Sequence, residues 1–586
     1  MRGFVGAVGR DCVDHLRQHG GDPMLNHLIN VTLTSMPTCL LLASIDDCST
    51  ESDCAAAIYG DVAFAKAISY ASANEVLTQY RDSGIDALAN LDGGHAVAIL
   101  DSGRRELHLF RDQWSQGSLY YAQEHGGILF SSHLPLLIGL LQNSLEPNLQ
   151  AARRFLQDGV PPVADETYFN NIHQLLPGHL ATISLDDAAT INLRRFHAPM
   201  PIGPGVEKLS FAEAAVQTRE LLTRSIALSL SGDAQKGFTL SGGLDSSAIV
   251  ASAHYLHPER SARTYSYVTN ERGIDEERYM DIVIQRMQCQ PLKIRSSADE
   301  YLATLPGATR AAGTPVNGTS HFVQYLLYRQ AHTDGMQVLL NGVKADSALA
   351  GHSYYFVDWM ADLWQERQLV ELARIMGTAT WQSSNRARKT LALEIARRFP
   401  ERISGPLLRR LRPAARTHWL GSAMREYASD QEVHQDLAVS GRSLQNHLRI
   451  GLESDKGARY AEANGAAFGM LSRTPYLAND LNRFVLSLPS EYLISRNGEV
   501  KHLFRESMRG TVPDEILDRR DKIGFDAPTG RWLQEKPTEV ETFLSRAREL
   551  GVIAENSDAT TIGNARAVSR VISYVEWMSA YGISLD

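Results

Sequence analysis

Phe238-Thr239-Leu240-Ser241-Gly242-Gly243-Leu244-Asp245-Ser246-Ser247 joins a short apolar run to a Ser-Gly-Gly turn. The run Ala248-Ile249-Val250-Ala251-Ser252-Ala253 that follows reads as a buried helix, and Phe238–Leu240 as a buried strand. The physics of such a junction is anion binding. Glycines let the backbone come close to a phosphate, and the first-turn N–H groups of a helix have no partners inside it. Ser246 and Ser247 add hydroxyl donors. Asp245 is the odd member, because a carboxylate beside phosphates is repulsive unless a hard cation lies between them. Asp245 is therefore read as a Mg²⁺ ligand. No Lys follows the glycines to reach terminal phosphates, so this is not the Walker pattern.

Taken alone, a Gly-Gly turn is equally a tight packing device. The whole string SGGLDSS is more specific. It resembles the pyrophosphate-binding loop of the ATP pyrophosphatase enzymes, which split ATP into AMP and pyrophosphate while activating a carboxyl or carbonyl oxygen. That resemblance implies that Leu240, Ser241, Gly242, Gly243, Leu244, Asp245, Ser246 and Ser247 contact ATP.

Outward from the turn, strands and helices alternate. Phe211 to Leu230 is helix-periodic, with Ala212, Ala215, Leu221, Leu222, Ile226 and Leu230 expected on one face. Thr264–Val268, Pro291–Ile294 and Met336–Leu340 read as further strands. Asp275-Glu276-Glu277-Arg278-Tyr279 opens a helix with acids at its positive end. This alternation predicts a doubly wound parallel sheet, in which ligands sit beyond the carboxyl ends of the strands. Tyr267 and Asn341-Gly342 occupy such ends and join the expected nucleotide site.

On the amino-terminal side, Pro199-Met200-Pro201-Ile202-Gly203-Pro204-Gly205 signals a boundary, since three prolines and two glycines cannot continue a helix or central strand. Domains are expected at 1–198 and 206–586. The first is β-rich: Gly94–Asp101, Glu106–Asp112, Leu119–Tyr121 and Ile128–Ser132 are strand-like runs separated by glycine-containing turns. Stacked antiparallel sheets follow from that pattern.

Phe110-Arg111-Asp112, Leu119-Tyr120-Tyr121, Leu129-Phe130-Ser131-Ser132 and Leu175-Leu176-Pro177-Gly178-His179 occur in the order found in the glutaminase domain of asparagine synthetase-like proteins. The resemblance implies a class II glutamine amidotransferase-like (Ntn) α/β sandwich, followed by an adenine-nucleotide α-hydrolase-like ligase domain with a helical carboxyl-terminal part. Glutamine-using members begin Met-Cys-Gly, and that Cys is the nucleophile. Met1-Arg2-Gly3 stands here, and a guanidinium cannot replace a thiolate. The domain is expected to be a degenerate scaffold, either supporting the second domain or docking a partner.

Three more matches carry the resemblance through the second domain. In Asn341-Gly342-Val343-Lys344-Ala345-Asp346-Ser347, Asp346 matches the Asp of the family's Ser-Gly-Glu-Gly-Ala-Asp-Glu, which helps hold Mg²⁺ on pyrophosphate; Val343 and Ser347 replace the two glutamates. Arg473, Pro475 and Leu477 match Glu-x-Arg-x-Pro-Phe-Leu-Asp, with Leu471 at the Glu and Ala478 at the Asp. Lys522, in Arg520-Asp521-Lys522-Ile523-Gly524-Phe525, matches the essential Lys of the closing motif. That match implies a catalytic ammonium near the α-phosphate. The Tyr of the Tyr–Glu pair used by β-lactam-forming relatives falls at Val343.

The totals narrow the setting. A net charge of −9 argues against general nucleic-acid affinity. Five cysteines without metal-type spacing, no apolar run of membrane-spanning length and no signal-peptide core lead to an expected cytoplasmic location, with no membrane partner. Between Arg386 and Arg416, ten basic residues face two acids, either a solvated face or a dock for an acidic peptide.

The expected chemistry is ATP-dependent amide formation with Mg²⁺, through an acyl-adenylate. The lost glutaminase Cys and the lost acceptor-site acids resemble most the lasso-peptide cyclases. Those close a macrolactam between an Asp or Glu side chain and the N-terminus of a precursor peptide, with a leader-removing protease and a leader-binding protein as partners. The alternatives are an ammonia-dependent asparagine synthetase, another small-molecule amide ligase, or an inactive scaffold.

Overall fold

A computed structural model describes residues 4–18, 29–30, 39–43, 48–51, 53–64, 67–124, 126–141, 145–196, 209–271, 273–377, 418–425, 443–454, 457–520 and 525–585. The proline-rich segment 199–205, residues 1–3, the basic run 386–416 and Lys522 lie outside these.

The amino-terminal part forms two six-stranded antiparallel sheets. One centres on Gly127–Ser131 and Phe4–Val8, the other on Glu106–Arg111 and His95–Asp101. Helix Arg10–Gln18 covers the outer face of the first sheet and helix Ala73–Ser83 that of the second. Strand Phe4–Val8 shows why both faces need cover. All five of its residues are buried. Phe4 and Val8 point between the sheets with Ala55, Ala57 and Ala98, while Val5 and Ala7 pack on Cys12, Val13 and Leu16 of the outer helix.

The second body is built on a five-stranded parallel sheet. Its order is Gln290–Ile294, Arg263–Tyr267, Lys236–Thr239, Val338–Leu340, Leu471–Arg473. Strand order reverses between Lys236–Thr239 and Val338–Leu340, which makes their carboxyl ends the switch point where such sheets bind ligands. The doubly wound expectation holds, with adjustments. The fourth strand begins at Val338, two residues later than expected, and the helix after the second strand begins at Glu277. Helix Phe211–Ser229 buries Ala214, Ala215, Thr218, Leu222, Ser225, Ile226 and Ser229. Ala212 is exposed, and Leu221 and Leu230 are only half-buried. Small hydroxyl residues took places on the face that a purely apolar template misses.

The two bodies are tied by side chains rather than by a shared sheet. Arg473, on the edge strand, makes a bidentate pair with Asp61 at 2.7 and 2.8 Å, donates to Ser229 O at 2.7 Å and lies 4.5 Å over the Tyr70 ring. Gln116 Nε2 donates to Ser472 O at 3.0 Å, and Trp114 Nε1 to Asn479 Oδ1 at 2.8 Å. An uncovered edge strand is a template for unwanted pairing; here the amino-terminal body covers it. Among the described residues no helix is long and apolar enough to cross a membrane.

Candidate active site

The chain leaves strand Lys236–Thr239 at Leu240, whose N–H reaches Tyr265 O at 2.9 Å, and turns through Ser241-Gly242-Gly243 into helix Leu244–Leu256. Gly242 has φ +74°, and a Cβ there would lie 2.9 Å from Met280 N. Only glycine fits on both counts. Gly243 is the N-cap and brings no side chain to the first-turn N–H groups. Those donors are left for an anion. Ser246 Oγ accepts from Ser241 N at 3.1 Å and meets Ser241 Oγ at 3.1 Å, so these two hydroxyls hold the turn in shape. Ser247 Oγ is buried with no protein partner. Leu244 is buried beneath the turn.

Asp245 lies in the first helical turn and is buried. Its carboxylate pairs with Lys501 Nζ, which also lies 2.6 Å from Asp346 Oδ1. Two carboxylates 101 positions apart in the chain thus converge on one ammonium, itself 3% exposed. The convergence is tightly built. A Cβ on Gly342 would sit 3.0 Å from Asp245 Cβ, and one on Gly351 2.1 Å from Asp346 Oδ1 and 2.3 Å from Lys501 Cε. Tyr476 donates to Asp245 O at 2.8 Å. Burial, and then the charges of Asp245 and Asp346, push its phenol well above the usual range, so it stays a neutral donor. Gly351→Ala is expected to separate the Asp346–Lys501 pair and lower ATP turnover at least about tenfold, a loss of roughly 1.4 kcal/mol; unchanged steady-state kinetics would contradict the packing argument.

A second buried pair braces the turn from behind. Arg519 meets Glu276 Oε1 at 2.5 Å, lies 3.9 Å over the Tyr279 ring and donates to Gly242 O at 3.4 Å. Glu276, read from sequence as an acid favouring a helix start, is 3% exposed and bound to this arginine.

The other expected residues fall around the same switch point. Asn341 is 4% exposed and its side chain is engaged inside the protein: Nδ2 donates to Ser472 Oγ at 2.9 Å, while Oδ1 accepts from Thr474 Oγ1 and Val343 N at 3.1 Å each. Tyr267 closes the neighbouring strand end, its hydroxyl 2.8 Å from Ser296 Oγ. Lys344 has φ +68°, and its ammonium reaches the carbonyls of Gly451, Leu452 and Ser454 at the end of helix Ser443–Glu453. A cation on the last carbonyls of a helix meets its negative end, which holds that helix to the Asp346 loop.

Sequence reading missed Lys501 and Arg519 as members of the site, and missed strand Leu471–Arg473. The signal for Lys501 was indirect: two carboxylates assigned to one buried place require a protein cation when no other is bound.

In the amino-terminal body, Cys12 is buried and donates to Glu124 O at 2.8 Å. Burial first, and then nearby acids, push its thiol up to about 11. It is no nucleophile.

The donor set around Asp245 and Asp346 fits a divalent hard cation, which binds through one or two carboxylates and completes its shell with phosphate and water oxygens. The buried N–H groups of the glycine turn fit the phosphates.

A family model described as asparagine synthase matches residues 217–572, and one described as glutamine amidotransferase domain matches residues 63–196. A glutamine-hydrolyzing asparagine synthetase 1 of Bacillus subtilis is 23% identical over 528 residues, spanning 86% of this chain and 80% of its own. A putative glutamine-hydrolyzing asparagine synthetase of Mycobacterium tuberculosis is 25% identical over 485 residues, spanning 78% and 70%. A solved glutamine phosphoribosylpyrophosphate amidotransferase of B. subtilis covers 50% of this chain and 81% of its own at 10% identity, with a TM-score of 0.23 that carries no argument.

Proposed function

This chain belongs to the asparagine synthase family of ATP-dependent C–N ligases, and we propose that it closes a macrolactam in a precursor peptide, as lasso-peptide cyclases do. The observation that carries the proposal is the replacement of the family's acids around Asp346, together with the rings that follow it. Val343, Ser347 and Leu471 stand where the family's acids stand. Beyond Ser347, His352, Tyr354 and Tyr355 pack ring on ring, Tyr355 buried and the other two half-buried. Such an aromatic row suits a folded peptide better than the charged groups of free aspartate. The relatives' names favour a second reading, asparagine synthesis, here with ammonia as the nitrogen source in place of the glutamine that those names carry.

The reaction proceeds in two halves. A substrate carboxylate attacks the α-phosphorus of ATP and pyrophosphate leaves. The N–H groups of the glycine turn and of the first helical residues up to Ser246 hold the departing diphosphate, and Ser247 Oγ is a further donor. Lys501 supplies fixed positive charge beside it, and Lys522 is proposed to supply more at the α-phosphate. Asp245 and Asp346 would hold Mg²⁺, which neutralises charge on the pyrophosphate when bound. An amine then displaces AMP from the acyl group. Holding the peptide's amine and carboxyl together makes this step intramolecular. A leader-removing protease and a leader-binding protein are the proposed partners.

Phosphate products settle the choice. With ATP and a leaderless peptide containing Asp or Glu, AMP, pyrophosphate and a product lighter by one water are expected. Turnover only with aspartate and ammonium would move the assignment to asparagine synthesis, and turnover with neither would exclude both.

A further inference from the structure

We infer that His447, oriented by Asp358, is the general base that takes the proton of the attacking amine in the second half-reaction. The inference rests on the ligase reading above. Helix Ser443–Glu453 packs on helix Tyr355–Gln365 and on the short helix Ala345–Ala348 that carries Asp346. A Cβ on Gly451 would meet Ser347 Oγ and Tyr355 OH at 3.0 Å each, so this face of the helix touches the residue next to Asp346. His447 is four residues earlier on that face, about 6 Å along the axis.

His447 Nδ1 lies 2.7 Å from Asp358 Oδ2. An ionised carboxylate only accepts, so Nδ1 carries the hydrogen and Nε2 the lone pair. The ring is fixed by stacking on Tyr354 at 5.2 Å and by an edge contact with Tyr355 at 4.9 Å. Tyr354 stacks in turn on His352 at 4.8 Å, and His352 follows Gly351, which packs on Asp346 and Lys501. A continuous row of rings therefore runs from beside the Asp346–Lys501 pair to the dyad. The His447 side chain is 27% exposed. Among the described residues, Asp358, Tyr354 and Tyr355 are the titratable groups that face it from the helix packed against it, with His352 behind Tyr354.

The chemistry requires such a group. A peptide α-amine has an ordinary pKa of about 7.7–8.0 and is largely protonated at neutral pH. Its nitrogen must form the C–N bond while the bond from acyl carbon to AMP oxygen breaks, with AMP leaving on the electron pair. The free-base fraction of the amine attacks, its ammonium proton having gone to water; the one surplus N–H proton of the new bond goes to Nε2, and Asp358 stabilises the imidazolium. Asp358 is a positioning residue.

The test compares half-reactions in the full-length protein. Its carboxylate is whichever of a leaderless Asp or Glu peptide and free aspartate supports wild-type ATP–pyrophosphate exchange. For His447→Gln, exchange within about twofold of wild type and amide formation down at least about 10²-fold are expected. Trapping of the acyl-adenylate by hydroxylamine, an amine already unprotonated at neutral pH, should persist. Asp358→Asn should lower kcat for amide formation about tenfold with KM little changed. Unchanged amide formation in His447→Gln overturns the inference and leaves the ligase reading intact. Exchange, trapping and amide formation falling together overturns it in favour of a structural role. Absence of carboxylate-dependent exchange in the wild type sinks the ligase reading and this inference with it.

Discussion

Asp245→Asn should lower carboxylate-dependent exchange of pyrophosphate into ATP by at least about 10²-fold while leaving the protein folded. The substitution keeps volume and removes charge. Lys501 retains its 2.6 Å contact with Asp346, so no buried ammonium is left unpaired. What goes is one of the two oxygen ligands proposed for the cation and half of the arrangement that sets Lys501 beside the glycine turn. Phosphoryl chemistry of this kind depends on positioning and charge neutralisation more than on covalent participation, so the effect belongs in kcat. Lys501→Met is expected to be worse for folding, because it leaves two carboxylates facing each other in a buried place. Exchange at the wild-type rate in Asp245→Asn would remove the metal assignment. Loss of exchange together with a collapsed melting curve would reduce the residue to a structural role.

Asp61→Ala should destabilise the docked pair of bodies by about 3–5 kcal/mol. The pair it breaks is 8% exposed on each side, is bidentate, and spans 412 positions of the chain. Removing Asp61 leaves the Arg473 guanidinium buried with only backbone carbonyls as polar partners. Burial opposes charge on Arg473, and the Asp61 carboxylate outweighs it, so the guanidinium is held above its usual range. Strand Leu471–Arg473 leads into Thr474, which binds Asn341 beside Asp346, so loss of the dock should also lower ATP turnover. Denaturant unfolding and limited proteolysis both read the change. The double replacement Asp61→Leu with Arg473→Met should recover much of it, because an apolar pair leaves no charge stranded. A loss under about 1 kcal/mol in Asp61→Ala would mean that the bodies are held by their other contacts.

The parts of this molecule legible in sequence are those governed by local rules. The glycine turn, the apolar run into helix Leu244–Leu256 and the alternation of strands and helices follow from chain stiffness and periodicity alone. Asp245 stood out because an acid beside such a glycine turn has no comfortable place without a cation, and the fold brings Lys501 and Asp346 to it. The illegible parts depend on distant partners. Strand Leu471–Arg473 is three residues long and takes its place only by pairing with Val338–Leu340. Lys501 reads as one more lysine until the fold brings residues 245 and 346 around it. Glu276 reads as a helix-start acid until Arg519 arrives from the far end of the chain. His447 and Asp358 sit 89 positions apart with nothing around either to mark it.

A crystal structure with pyrophosphate and Mn²⁺ in place of Mg²⁺ tests the central claim most directly. The diphosphate should lie on the backbone N–H groups between Gly242 and Ser247, with anomalous Mn²⁺ density bonded to oxygens of both Asp245 and Asp346. A diphosphate bound elsewhere, or a metal peak touching neither carboxylate, would contradict it.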